Sequence, residues 1–326
     1  MAEATIIAVR RQHTWLSFLA RRIGRLIVSL AVVLSLSFLL IQFIPGDPVR
    51  LALGPTAPAS MVAQQRAALG LTKPLGIQYL DYWHDVLTGH LGSSIVSGQS
   101  VGQIIATSLP ETAELVGVAL VLTMVFAVSI GVLAGALTHQ GRRPRLLLFF
   151  TSATSILNTI PEFLLGVGLV FVFAVTLKLL PVAGASGWQS LVLPALAIAI
   201  GPTAGLARIV RVQTDVVLAQ DYMRVARAKR LPTWMIYLRH ALPNLLTAAL
   251  TIGGLLLGTL VASSVVVENV FARPGLGTAI VQAITQHDYP VIQGILLVLG
   301  AAVLVLNLLV DLVLSALDPR STLRES

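Results

Sequence analysis

Six long apolar stretches divide this chain, and they constrain its fold more than any other feature. They cover about 26–44, 115–137, 150–177 (within a broader region 146–180), 191–210, 245–267 and 291–314. A helix needs about 20 apolar residues to cross the hydrocarbon of a bilayer. Hydrophobic residues make up 56% of the chain and charged residues only 11%, so little is left over for a soluble surface. In hydrocarbon every backbone N–H and C=O must be satisfied within its own segment, so these stretches are expected as helices. The expected fold is an all-α membrane protein with six transmembrane helices.

The positive charges set the orientation, because Lys and Arg collect in short loops on the cytoplasmic side. Six spans put both termini on one side. That side receives Arg10, Arg11, Arg21, Arg22 and Arg25, then Arg142, Arg143 and Arg145. It also receives Arg208, Arg211, Arg224, Arg227, Lys229, Arg230 and Arg239, and finally Arg320 and Arg324. Only Arg50, Arg66, Lys73, Lys178 and Arg273 fall on the other side. Five or seven spans would spoil this split, so both termini are expected in the cytoplasm.

The charge bias also explains the formal net charge of +8. In a soluble protein that value would point to nucleic acid; here the loop rule accounts for it, and no nucleic-acid partner is expected. There are no cysteines, which excludes disulfides, thiolate chemistry and Cys-based metal sites. Residues 1–25 are polar and basic, and no small-residue cleavage site follows the first apolar run, so that run is expected to stay as an anchor. The external loop 45–114 carries turn punctuation at Pro45-Gly46-Asp47-Pro48, then helix-compatible pieces at 61–69 and 78–87. It is short for an independent domain. The layout is therefore a cytoplasmic segment 1–25, one membrane domain 26–314 and a cytoplasmic tail 315–326. Asn158, Pro161 and Glu162 interrupt the third stretch, which is expected as one long kinked helix.

The loop between the fourth and fifth stretches, 211–243, is more than a solvated basic loop. Asp221–Lys229 is helix-compatible, with Met223 and Ala226 on one side. Pro232 stands where a new helix would begin, a place where its missing N–H costs nothing. Leu231, Met235, Leu238 and Leu242 then recur at helical spacing as an apolar stripe. Two short helices joined near Arg230 would present a knob with an exposed stripe, and such a stripe calls for a partner.

Arg224-Val225-Ala226-Arg227-Ala228-Lys229-Arg230, followed by His240-Ala241-Leu242-Pro243, resembles the EAA loop of ABC-importer membrane subunits. Starting at Asp221-Tyr222-Met223, it is similar to the form in the dipeptide, oligopeptide and nickel permeases. Further marks agree along the chain: Gly70-Leu71-Thr72-Lys73-Pro74, Leu91-Gly92-Ser93-Ser94, Val267-Glu268, Pro274-Gly275-Leu276-Gly277, Asp288-Tyr289 and Asp318-Pro319-Arg320. In this order they resemble the first, B-type, permease subunit. The resemblance implies the type I permease fold and a non-catalytic subunit in a bacterial cell membrane. It implies a second homologous permease, two ATP-binding subunits holding ATP and Mg, and an extracytoplasmic substrate-binding protein. Cargo would be di- or oligopeptides, or alternatively nickel or another small solute. The residues implied for ATPase coupling are Arg224, Ala226, Arg227, Ala228, Lys229, Arg230, Leu231, Leu238, His240 and Pro243. One departure stands out: the family has Gly at the loop turn where this chain has Arg230.

Inside the spans, acidic residues are Glu162 and Asp311. An ionised group at the bilayer centre is costly and faces the protein interior or water. Asn158 and Glu162 are the candidate translocation-path residues; the competing expectation is a Glu162 carboxyl held by a neighbouring hydroxyl such as Thr159, or by a polar group of a partner subunit. Asp311, near Asn307, is expected to be structural. A lone ion-coupled transporter would need an ionisable relay and inverted repeats, and only Glu162 offers itself. No phosphate-cradling G-x-x-x-x-G-K-[ST] run, H-E-x-x-H or G-x-S-x-G occurs, and the six histidines lack metal-ligand spacing. No cofactor or metal on this chain is expected.

Overall fold

A computed structural model describes residues 2–43, 47–54, 56–230 and 232–317. It is helical throughout, with no strand among the described residues beyond one bridge between Ser93 and Ser100. The helices are α1 (Ala2–Phe43), α2 (Pro48–Leu53), α3 (Ala59–Ala68), α4 (Leu75–Leu87), α5 (Val101–Thr138) and α6 (Pro144–Thr159). They continue with α7 (Glu162–Thr176), α8 (Gln189–Ala219), α9 (Asp221–Ala228), α10 (233–270), α11 (Leu276–Thr285) and α12 (Tyr289–Leu317). Five helices are long and apolar enough to cross a membrane, and the bent pair α6 and α7 makes a sixth candidate.

The basic residues before the first span are helical too, since α1 carries them and the span in one unbroken helix. One expectation needs revision. The third apolar region is not one kinked helix. It breaks between Thr159 and Glu162, and the two halves bend by 97°. Ile160 takes extended angles (φ −71°, ψ 124°), as steric conflict with the following Pro161 ring demands. Pro161 then leads into α7, where its absent N–H is harmless. Residues 170–176 close α7 as a π-helix.

The chain divides into two compact units, 1–106 with 280–309 and 107–279 with 310–318. In the first unit, α4 docks on α1 through aromatic rings. Phe38 meets Tyr79 edge-on with centroids 5.3 Å apart, and Tyr79 shares a 2.7 Å hydrogen bond with Ser35. Asp47 caps α2 by accepting the Val49 N–H, with Pro48 in the first turn. Buried Asp288 accepts from the Ser94 hydroxyl and from the Ile95 N–H at 3.1 Å.

In the second unit α8 is the central element and packs against α6, α7 and α10. The core gathers Ala127, Ala134, Phe150, Leu206, Ala207, Val210 and Ala249. Helices in lipid approach closely where side chains are small. A Cβ on Gly131 would stand 2.6 Å from Val210 Cβ, and one on Gly135 2.5 Å from Thr214 Cβ, so this Gly-x-x-x-Gly pair sets the α5–α8 distance. The motif Glu268 to Gly277 forms a buried lock in the same unit. Glu268 is fully buried and accepts the Gly277 N–H at 2.7 Å, while Thr112 Oγ1 accepts the Leu276 N–H. These contacts satisfy donors in the first turn of α11. Arg273, also buried, donates to Glu111 at 2.6 Å and reaches Glu114 at 3.4 Å.

Candidate functional site

The segment 221–243 folds as the sequence expects up to Arg230 and differently beyond it. Asp221 begins α9, whose inward face is Met223 and Ala226. Both are buried against Leu218, Ile236, Ala241 and Leu245. Arg227 turns back on its own fold, and its guanidinium donates to the Leu218 carbonyl at 3.2 Å. That bond satisfies a carbonyl that the end of α8 leaves open. The Arg224–Asp221 pair, 3.4 Å apart and well exposed, adds little.

At the turn, Arg230 has φ 51°. The backbone is left-handed, the conformation that glycine takes freely and other residues adopt at a cost. Arg230 therefore keeps the glycine geometry and does not replace it with a right-handed turn. Its N–H donates to the Arg227 carbonyl at 2.9 Å. Leu231 lies outside the described residues.

After the turn there is no separate short helix. Residues 233–270 form one continuous α10, and Ile236–Ala241 within it is a π-turn. The cause lies in Pro243, which has no N–H and whose ring would collide with the carbonyl four residues back in an α-ladder. A wider π-turn relieves that conflict. The π-turn also changes which residues face inward. Ile236, Ala241 and Leu245 are buried at spacings of five and then four, whereas Leu238 is 58% exposed. The exposed apolar set is Tyr222, Val225, Trp234 and Leu238. Sequence periodicity missed Tyr222 and Trp234; their signal was two large aromatics in a basic segment between spans. The Tyr222 hydroxyl accepts from Asn244 Nδ2 at 3.0 Å, and the His240 carbonyl from the same amide at 3.2 Å.

A polar pocket of about 340 Å³ adjoins this knob, lined by His139, Gln140, Arg142, Arg227 and Tyr237 among others. His139 Nδ1 and Asp215 are 2.7 Å apart. Burial pushes the Tyr237 phenol above its ordinary value, and the positive charge of Arg227 works against that rise. The loop after α5 and the knob thus meet at the foot of α8.

The two candidate path residues do not come together in one cluster. Glu162 opens α7, and the Ser263 hydroxyl of α10 donates to Glu162 Oε1 at 2.6 Å. The hydroxyl that holds it is Ser263 and not Thr159, which bonds the Ser155 carbonyl. Asn158 is exposed and instead lines a separate pocket of about 500 Å³ with Arg208 and Gln213. Among the described residues no cluster of three or more His, Cys, Asp or Glu could hold a metal ion.

Comparison with known proteins decides the family. Residues 127–323 match the binding-protein-dependent transport system inner membrane component, and residues 15–116 match the N-terminal component of the same systems. The chain belongs to the ABC-importer permeases of the dipeptide and oligopeptide family. Its relatives include the glutathione transport system permease protein GsiC of Salmonella typhimurium (strain LT2), 37% identical over 93% of this chain and 98% of that one. The GsiC protein of Pectobacterium atrosepticum is 38% identical over the same shares, 93% and 98%. Among solved structures, the inward-facing MetNI methionine ABC transporter in its CY5 native crystal form aligns with a TM-score of 0.56 at 20% identity. That alignment covers 66% of this permease and 97% of the MetNI chain, and it shows a shared fold. The permease is thus a multi-pass inner-membrane protein and a non-catalytic component of a transport system.

Proposed function

We propose that this permease forms half of a peptide translocation path and is driven by two ATPase subunits through segment 221–243. A second homologous permease would complete the path, and an extracytoplasmic binding protein would deliver the cargo. ATP and Mg belong to the ATPases. Both termini would lie in the cytoplasm, on the same side as the knob.

The observation that carries this reading is the knob itself. Its inner face is sealed by Met223, Ala226, Ile236 and Leu245, which makes it a rigid extension of α8 and α10. Its outer face leaves Tyr222, Val225, Trp234 and Leu238 bare beside Arg224, Lys229 and Arg230. Lys229 and Arg230 pair with no carboxylate among the described residues. Aromatic and aliphatic anchors ringed by cations suit a groove with acidic edges on a partner. Movement of such a groove would be passed straight into the spans, which is the differential contact that alternating access requires. Ala228, His240 and Pro243 belong to this unit as its frame. Peptide cargo is favoured by the relatives named for glutathione, itself a tripeptide. A transporter working alone is not favoured, because Glu162 stands with a serine and not in a relay.

The test uses cysteines placed at Leu238 and Trp234 in the assembled transporter. Disulfide or bifunctional crosslinks to a nucleotide-hydrolysing subunit are expected; their absence would sink the coupling role. The Arg227→Glu variant would lose the tie to Leu218. It is expected to assemble and hydrolyse ATP while uptake falls by tenfold or more, and normal uptake would count against the reading.

A further inference from the structure

Two arginines, Arg208 and Arg211, stand three residues apart on α8, and the structure treats them differently. Arg211 is tied in, its Nε and Nη2 both donating to Thr138 Oγ1 at 3.1 Å. Arg208 makes one hydrogen bond, from Nη1 to Ser155 Oγ at 3.0 Å. No carboxylate pairs with it among the described residues. A guanidinium offers five N–H donors in a planar fork, so most of this one is uncommitted. Arg208 stands toward the 218 end of the candidate span Gln189–Leu218, where an ionised group faces water or the protein interior.

Arg208 opens onto the pocket of about 500 Å³ that Asn158 and Gln213 also line. That volume lies within the range of small-molecule sites. One wall is apolar, built from Ile252 and Leu256 of α10. Asn158 is held low against α8 because position 205 is glycine, where a Cβ would come 2.9 Å from Asn158 Oδ1. The pocket therefore sets one fixed positive charge and two amide side chains against a greasy wall.

We infer that Arg208, with Asn158 and Gln213 beside it, receives a free carboxylate of the transported peptide. The inference rests on the peptide-importer reading above. A guanidinium fork matches a carboxylate with two parallel hydrogen bonds. The amides of Asn158 and Gln213 can each donate to and accept from peptide groups. Ile252 and Leu256 face the side chain that follows.

The chain has no cysteine, so V212C, at another residue of the pocket wall, supplies a single reporter once the partner subunits are made cysteine-free. The assembled transporter in proteoliposomes is treated with a maleimide in the presence of trialanine or trialanine amide. Trialanine is expected to slow labelling by about tenfold, the size of a charge-assisted hydrogen bond, and the amide to leave it unchanged. In the R208Q background trialanine is expected to lose its effect, with R208K keeping part of it. Equal protection by acid and amide, protection that survives R208Q, or no protection by either would overturn the assignment. So would an R208Q variant that slows uptake of both peptides equally, which would make Arg208 a lipid-phosphate or folding contact. ATP-driven uptake of trialanine and of glutathione by the V212C transporter is read separately. No uptake of either removes the peptide reading itself, whereas uptake without protection removes only the role of Arg208.

Discussion

Arg230 shows how far a single residue can be read from sequence. Its position at a turn that the family builds with glycine was visible; its backbone angle was not. With φ at 51°, the chain retains the left-handed turn and holds a charged side chain there. Arg230→Gly would remove roughly 1 kcal/mol of left-handed strain, partly offset by the greater freedom glycine gives the unfolded chain. Thermal unfolding of the solubilised transporter should show a melting temperature equal to or slightly above wild type, with uptake retained. Loss of ATPase association in this variant would show that the guanidinium itself is a contact. Glu162 teaches the complementary lesson. That a hydroxyl would hold its carboxyl was legible, but the nearest hydroxyl in sequence was the wrong one. Ser263 lies on another helix, and local spacing carries no information about such a pairing.

At the scale of elements, α9 was readable because an eight-residue amphipathic helix needs only its own pattern. The following stripe was right in part: Leu238 is exposed as expected, while Met235 and Leu242 are half-buried, for a physical reason. Periodicity assumes about 3.6 residues per turn, and the π-turn over Ile236–Ala241 breaks that assumption. It rotates Leu238 outward and brings Ile236, Ala241 and Leu245 inward. Pro243 was the signal for it, since a proline inside a helix demands some local change. The sealed inner face should be what keeps the knob rigid. Met223 is fully buried, and truncating a buried Met to Ala costs about 2–5 kcal/mol. That is large against the stability of one short helix, so Met223→Ala is expected to open α9 locally. Trypsin should then cut at Arg224, Arg227, Lys229 and Arg230 faster than in wild type. Leu238→Ala, at an exposed position, should leave cleavage unchanged while weakening ATPase association. Equal cleavage in both variants would mean that Met223 does not secure the helix.

For the whole molecule, the apolar helices were legible because lipid imposes a length rule on every segment; five are long enough to cross and the bent pair α6 and α7 is the sixth candidate, while their direction is an expectation from the charges. The bend of the third region was not legible, since Pro161 announces a break without fixing its angle. A pair of helices meeting at 97° has two possible courses: across the membrane, or in and back out on one face. The loop charges favour the crossing. If α6 and α7 returned to the side they left, α8 would begin in the cytoplasm. Arg208 to Arg239 would then lie outside and the basic excess would be split between the two faces, against the positive-inside rule. A broken crossing keeps Arg142, Arg143 and Arg145 on the same side as the knob. The cysteine-free chain allows a direct measurement by single replacements at Arg142, before the pair, and at Ser186, after it. In intact cells a membrane-impermeant maleimide should label R230C and R142C only after the membrane is opened, and should label S186C without that treatment. Labelling of positions 142 and 186 from the same side would make the pair re-entrant, leave five spans, and place the two termini on opposite faces.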